Sequence, residues 1–154
     1  MGVGKTTVGS RLAVMCGLRF VDLDHEIEKH FGMPVARVFA EQGEAVFRAK
    51  ETECLEAVLV GPAVVIALGG GTLHNGLNCQ ELQRRTTLFC LGLPLDEIRR
   101  RIGDSDSSRP LWTQAERLYE ERLALYRTAG TYVDVMGKSA DDIVEHLYGV
   151  ATCD

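Results

Sequence analysis

Val64-Val65-Ile66-Ala67-Leu68 is an unbroken apolar run that stops at Gly69-Gly70-Gly71. A strand with one wet face alternates apolar and polar side chains, so a run with no polar position belongs to a strand covered on both faces. Such strands occur in parallel sheets with helices packed on either side. This stretch is what a parallel-sheet strand of an α/β fold looks like, and the class follows from the alternation of strands with helices along the rest of the chain. Further strands are predicted at Leu18–Val21, Thr87–Leu91 and Thr131–Val135. Between them the apolar residues recur at helical spacing, as at Val8, Leu12, Ala13 and Met15 in the stretch Lys5–Gly17. Other helical patterns cover about Asp24–His30, Pro34–Ala40, Glu44–Leu59, Leu77–Arg84, Pro94–Ile102, Leu111–Tyr126 and Ser139–Tyr148. Ser139 is the expected cap of the last helix, with Asp141 and Asp142 near its positive end. The stretch 103–109 is polar and Gly/Ser-rich. Strand–helix alternation with no repeat and no long linker predicts a single three-layer domain over residues 1–154.

With 17 basic against 22 acidic residues, the net charge is −5. That balance argues against a nucleic-acid or membrane-surface binder, which depends on a broad basic face. A local basic pocket for a small anion remains open. No apolar run approaches the roughly 20 residues of a membrane helix, and the N-terminus does not read as a secretory or transit segment. The cysteines Cys16, Cys54, Cys79, Cys90 and Cys153 form no CxxC pair and read as reduced thiols. A cytoplasmic, monomeric protein is expected.

The chain opens Met1-Gly2-Val3-Gly4-Lys5-Thr6-Thr7, the latter part of a GxxxxGK[ST] phosphate loop. Glycines let backbone N–H groups converge on phosphate oxygens without a Cβ in the way. Lys5 can reach the β/γ phosphates, the Thr6 hydroxyl can ligate Mg²⁺, and the following helix adds its positive end. A flexible N-terminal tag is the bland alternative. The helix starting at once, and the acidic cluster some way on, disfavour it. Asp22 and Asp24 stand i and i+2 at a predicted strand end, which would put both carboxylates on one side of the sheet's carboxyl edge. One could hold Mg²⁺ through water while the other takes a proton from an attacking hydroxyl. Alternatively, Asp24 caps the next helix. Arg48 has Glu51 at i+3 to brace it; Arg109 closes the polar stretch; Arg122 precedes Tyr126 by one helical turn. Together they are a cation set suited to a γ-phosphate and an acidic substrate. His25, His30, His74 and His146 show no metal-ligand spacing, and Trp112 reads as packing at the foot of a lid.

Taken in order, MGVGKTTVG, the Asp22-Leu23-Asp24 triplet, Gly43–Arg48, Gly69-Gly70-Gly71, Arg109-Pro110-Leu111 and Arg122–Tyr126 resemble the shikimate kinase family over essentially the whole chain. The resemblance implies a P-loop, nucleoside-monophosphate-kinase-like fold with a parallel sheet of order 2-3-1-4-5, its first strand absent from this sequence. It implies transfer of the ATP γ-phosphate to the 3-hydroxyl of shikimate. It also implies a substrate-binding helical segment at about 24–60 and a lid at about 103–116. By position, Gly2, Val3, Gly4, Lys5, Thr6 and Thr7 would hold phosphates, with Thr6 on Mg²⁺ directly and Asp22 through water. Asp24 would bind ring hydroxyls and act as base. Arg48 and Arg122 would clamp the carboxylate. Gly69, Gly70 and Gly71 would bring backbone to the substrate, Arg109 would swing in over the phosphates, and Arg101 would lie against adenine.

The sequence departs from the family's pattern in three places. The first strand and first loop glycine are not in it. Ala124 replaces a usual proline. Met136-Gly137-Lys138-Ser139 lacks an arginine, with Lys138 as a possible substitute near adenine. Loss of the first strand should leave the strands on either side of it unpaired on their inner edges. Two rival readings follow: another small-molecule kinase of this fold, such as a gluconate kinase, or a non-catalytic ligand-binding relative.

Overall fold

In a computed structural model, residues 3–102 and 112–152 are described, without the side chains of residues 99, 101, 102 and 112–116. Helices and strands alternate along the chain. They run α1 (Lys5–Cys16), β1 (Arg19–Asp22), α2 (Leu23–Phe31), α3 (Val35–Gln42), α4 (Glu44–Leu59) and β2 (Val64–Ala67). A short 3₁₀ turn (Thr72–His74) leads to α5 (Gly76–Arg85), β3 (Phe89–Gly92), α6 (Leu95–Ile102), α7 (Trp112–Ala129), β4 (Thr131–Asp134) and α8 (Ala140–Thr152).

Local chemistry accounts for the element ends. α1 stops at Gly17 and α2 at Gly32, both in the left-handed region that an L side chain resists. Asn75 accepts from the N–H groups of Leu77 and Asn78 and so opens α5. The Ser139 hydroxyl accepts from Asp142 N at 3.1 Å while Asp142 Oδ2 accepts from Ser139 N at 3.0 Å, a reciprocal cap on α8 of the kind the sequence predicts. The predicted boundaries shift most at α8, which runs on to Thr152, and at α7, which runs to Ala129.

The strands form two parallel pairs, β1 with β2 and β3 with β4. Among the described residues no strand joins β2 to β3. Two apolar cores lie on opposite faces of these pairs. One gathers Leu23, Ile27, Val38, Phe47, Leu55 and Leu82, with Cys90 facing them from β3. The other gathers Val8 and Leu12 of α1 with Ile143, Val144 and Leu147 of α8, against Phe89 and Leu91. Cys90 faces one core while Phe89 and Leu91 face the other, as alternation along a doubly covered strand requires. This is the expected three-layer arrangement. Between the inner edges of β2 and β3 runs an apolar groove of about 720 Å³, lined along its length by 64–68 and 89–93. It lies where the resemblance puts the first strand of the sheet, and the unpaired inner edges are those expected from the sequence.

Candidate active site

Gly4 ends the phosphate loop with φ of 91°, a conformation that an L side chain rarely adopts, and its carbonyl accepts the first bond of α1, from Val8 N at 2.9 Å. No side chain caps α1. Its leading N–H groups therefore stay available at a positively polarised helix end. Val3, Gly4, Lys5, Thr6 and Thr7 line a pocket of about 480 Å³, closed on the far side by Asp22, Asp24, Ala67 and Leu68. The Thr6 hydroxyl donates to Asp22 Oδ2 at 2.9 Å. A hydroxyl and a carboxylate side by side beneath a phosphate loop are the donor set that Mg²⁺ accepts, since it takes one or two protein oxygens and fills its shell with phosphate and water. Among the described residues no cluster of three or more His, Cys, Asp or Glu offers an all-protein metal cage.

The acidic pair is placed differently from the expectation. β1 ends at Asp22, which caps α2 by accepting from His25 N at 3.4 Å, and Asp24 sits in the first turn of α2. The two carboxylates therefore do not share one strand face; a strand end and a helix start deliver them separately to the same pocket. The capping role that the sequence allowed for Asp24 belongs to Asp22. Burial raises the Asp24 carboxyl above the ordinary carboxylate range, and the negative charges of Asp22 and Glu51 raise it further. Burial likewise lowers the Lys5 ammonium, opposed by Asp24 and Asp22. His25 stands largely exposed, 3.8 Å from Glu28, and takes no part.

The turn after β2 joins the site's two halves. A Cβ on Gly69 would lie 2.7 Å from Asp24 Oδ1. One on Gly70 would lie 3.1 Å from Arg122 Nη1, and one on Gly71 would lie 2.8 Å from Arg48 Nη1. A side chain at any of these positions would push against Asp24, Arg122 or Arg48 and displace it from the turn. Arg48 on α4 donates to Glu51 Oε2 at 2.8 Å and is held near Phe47 and Phe39. Arg122 on α7 is different. Its Nε is buried without a hydrogen-bond partner, and no carboxylate among the described residues pairs with it. A guanidinium whose buried Nε has no partner is prepared for an anion from outside. The structure thus brings together Lys5, Thr6, Asp22, Asp24, Arg48, Arg122 and the Gly69–Gly71 turn.

Gly2, Arg109 and the side chains of Arg101 and Trp112 lie outside the described residues, as does the predicted lid as far as residue 111. Lys138 is exposed after β4, and its N–H donates to Val135 O at 3.3 Å. Sequence reasoning saw Glu51 only as a brace for Arg48. In the fold it is fully buried and also accepts from the Thr72 hydroxyl at 2.7 Å, tying α4 to the glycine turn. A Glu at i+3 from an Arg was the available signal; burial was not readable.

The family model described as Shikimate kinase matches residues 1–151. A shikimate kinase of Persephonella marina is 35% identical over 153 residues, covering 97% of this chain and 93% of the relative. One of Nitrosomonas europaea is 37% identical over 154 residues, covering 96% of this chain and 72% of the relative. The solved shikimate kinase of Acinetobacter baumannii in complex with shikimate superposes with a TM-score of 0.86 at 32% identity, over 99% of this chain and 89% of that one.

Proposed function

The chain belongs to the shikimate kinase family, and we propose, from that premise, how its residues divide the work of moving the ATP γ-phosphate onto a shikimate hydroxyl. The observation that carries the assignment is the convergence of Arg122, Arg48 and Asp24 on Gly69–Gly71, directly beside the Lys5 loop. Shikimate is a small polyol carboxylate. Two guanidinium groups suit its carboxylate, and one carboxylate with closely approaching backbone suits its hydroxyls. A neutral sugar needs no cation clamp at that place; gluconate and a nucleoside monophosphate are anions too, and turnover separates them from shikimate.

Phosphoryl transfer is governed by positioning and by neutralising charge on the transferred group. Val3, Gly4 and the first turn of α1 hold the phosphates, and Lys5 faces the β/γ oxygens. Thr6 directly, and Asp22 through water, would hold Mg²⁺, which would supply neutralising positive charge to the phosphates. Arg48 and Arg122 fix the substrate carboxylate and so aim the ring. Asp24 accepts the proton of the attacking hydroxyl as the new O–P bond forms. The bond from γ-phosphorus to the bridging oxygen breaks, and its electron pair leaves on ADP. Arg109 and Arg101 complete the nucleotide side in this reading, by analogy with the family.

An ADP-release assay with shikimate, gluconate and nucleoside monophosphates tests the assignment. Turnover with shikimate alone is expected. Turnover of gluconate without shikimate would overturn it, and so would binding of shikimate with no phosphorylation, the outcome for a non-catalytic relative.

A further inference from the structure

All three carbonyls of the glycine turn are engaged. Gly69 O accepts from Thr72 N at 3.3 Å, with the Thr72 hydroxyl at 3.1 Å, and Gly71 O accepts from His74 N at 3.0 Å. Gly70 O has a partner from far away in the chain: the Tyr126 hydroxyl donates to it at 2.9 Å. Among the described residues, the N–H groups of Gly70 and Gly71 have no such partner.

Tyr126 stands one helical turn beyond Arg122 on α7, so both project from one face of that helix. Arg122 packs on Gly70 from the same helix. The peptide joining Gly70 to Gly71 is planar and trans, so its carbonyl and its N–H point in opposite directions. Fixing the Gly70 carbonyl therefore fixes the Gly71 N–H. A peptide flanked by two glycines has little orientation preference of its own, because neither residue has a Cβ to exclude the flipped form. The choice must come from outside, and among the described residues Tyr126 is the one side chain that donates to that carbonyl. Burial raises the Tyr126 hydroxyl above its ordinary pKa, so it remains a neutral donor across the working pH range.

We infer that Tyr126 is a positioning residue: its hydroxyl locks the Gly70–Gly71 peptide so that the Gly71 N–H stays presented to a substrate oxygen rather than being replaced by a carbonyl. The inference rests on the shikimate reading above. It adds a second task to α7, which then sets the carboxylate clamp and the backbone donor from adjacent turns.

Tyr126→Phe keeps the ring, which packs against the main core, and removes only the hydroxyl. The shikimate KM is expected to rise about 3- to 10-fold, the range for loss of one hydrogen bond, with the ATP KM unchanged. In amide spectra of the free protein, the Gly71 resonance should move in the variant. Its response to added shikimate should shrink. A purely packing role for the ring predicts wild-type shikimate KM in Tyr126→Phe, and that result overturns the inference. Two controls separate its failure from failure of the parent reading. If wild type binds shikimate and Arg122→Ala weakens that binding while Tyr126→Phe does not, only this inference fails. If wild type binds no shikimate at all, both fail.

Discussion

Burial and the charges of Asp22 and Glu51 hold the Asp24 carboxyl above the 3.8 of an ordinary aspartate. That helps a residue that must take a proton near neutrality, and it works against the fold. A carboxyl whose folded pKa is raised stabilises the native state while protonated, below its unfolded pKa. That contribution disappears as pH rises through the folded value. Ionised Asp24 thus weakens the native state at pH 7–8. Asp24→Asn is expected to lower kcat by at least about 100-fold yet to melt higher than wild type at pH 8, with the difference shrinking as pH is lowered toward 4. Thermal unfolding of both proteins across that range checks it; a variant less stable than wild type at pH 8 contradicts the assigned environment. Lys5 is the second residue to test. Its ammonium lies within electrostatic reach of Asp24, Asp22 and Arg122. Lys5→Ala should cost about 100- to 1000-fold in kcat while leaving the shikimate KM nearly unchanged, measured by initial rates at saturating ATP.

Among the elements, α4 connects substrate binding to the glycine turn. Its Glu51 is fully buried, holds Arg48 at 2.8 Å, accepts from Thr72 at 2.7 Å and adds negative potential at Asp24. Glu51→Gln keeps shape and some hydrogen bonding but removes the charge. The acid limb of the kcat–pH profile should shift to lower pH in this variant, because one of the charges raising Asp24 is gone. Burial, the larger cause, remains, so the limb stays above the ordinary aspartate value. The shikimate KM should rise as Arg48 loses its ionic anchor. An unmoved acid limb would mean that Glu51 acts on Arg48 alone. α4 itself was legible in the sequence almost to the residue, since Gly43 and Gly61 bracket a continuous helical pattern. Its inward carboxylate was not, because a Glu beside an Arg reads equally well as a solvated surface pair. Asp24 is the complementary case: it lines the pocket, as the sequence leads one to expect, but from a helix rather than a strand, because strand and helix join inside the Asp22-Leu23-Asp24 triplet.

Across the whole molecule, the larger cavity is the groove of about 720 Å³ between β2 and β3, beside the reactive pocket of about 480 Å³. Both strands turn unpaired backbone toward it, and its walls are largely aliphatic. Its upper end reaches Lys5, Gly69 and Arg122, so whatever stiffens the groove also stiffens the phosphate loop. A Val/Ile-rich segment of about six residues, a typical strand length, fused directly ahead of Met1 should raise Tm by on the order of 10 °C. Each such side chain removed from water is worth about 1.5–3 kcal/mol, ordering each residue costs about 1–2 kcal/mol, and about 1 kcal/mol of the surplus moves Tm by a few degrees in a chain of this size. The same length of Gly/Ser should leave Tm unchanged; equal effects of the two would show that the groove does not take a strand. The sequence by itself determined the α/β class, the phosphate-loop motif and the family, because hydrophobic period, glycine placement and motif order are local properties written along the chain. The tertiary structure alone decided which groups meet: that Asp22 caps a helix while Asp24 faces Lys5, that Glu51 is buried, that Arg122 keeps an unused donor, and that Tyr126 reaches Gly70 across 56 positions. Those outcomes depend on burial and on contacts between elements distant in sequence, and no local pattern encodes the dielectric a side chain will finally meet.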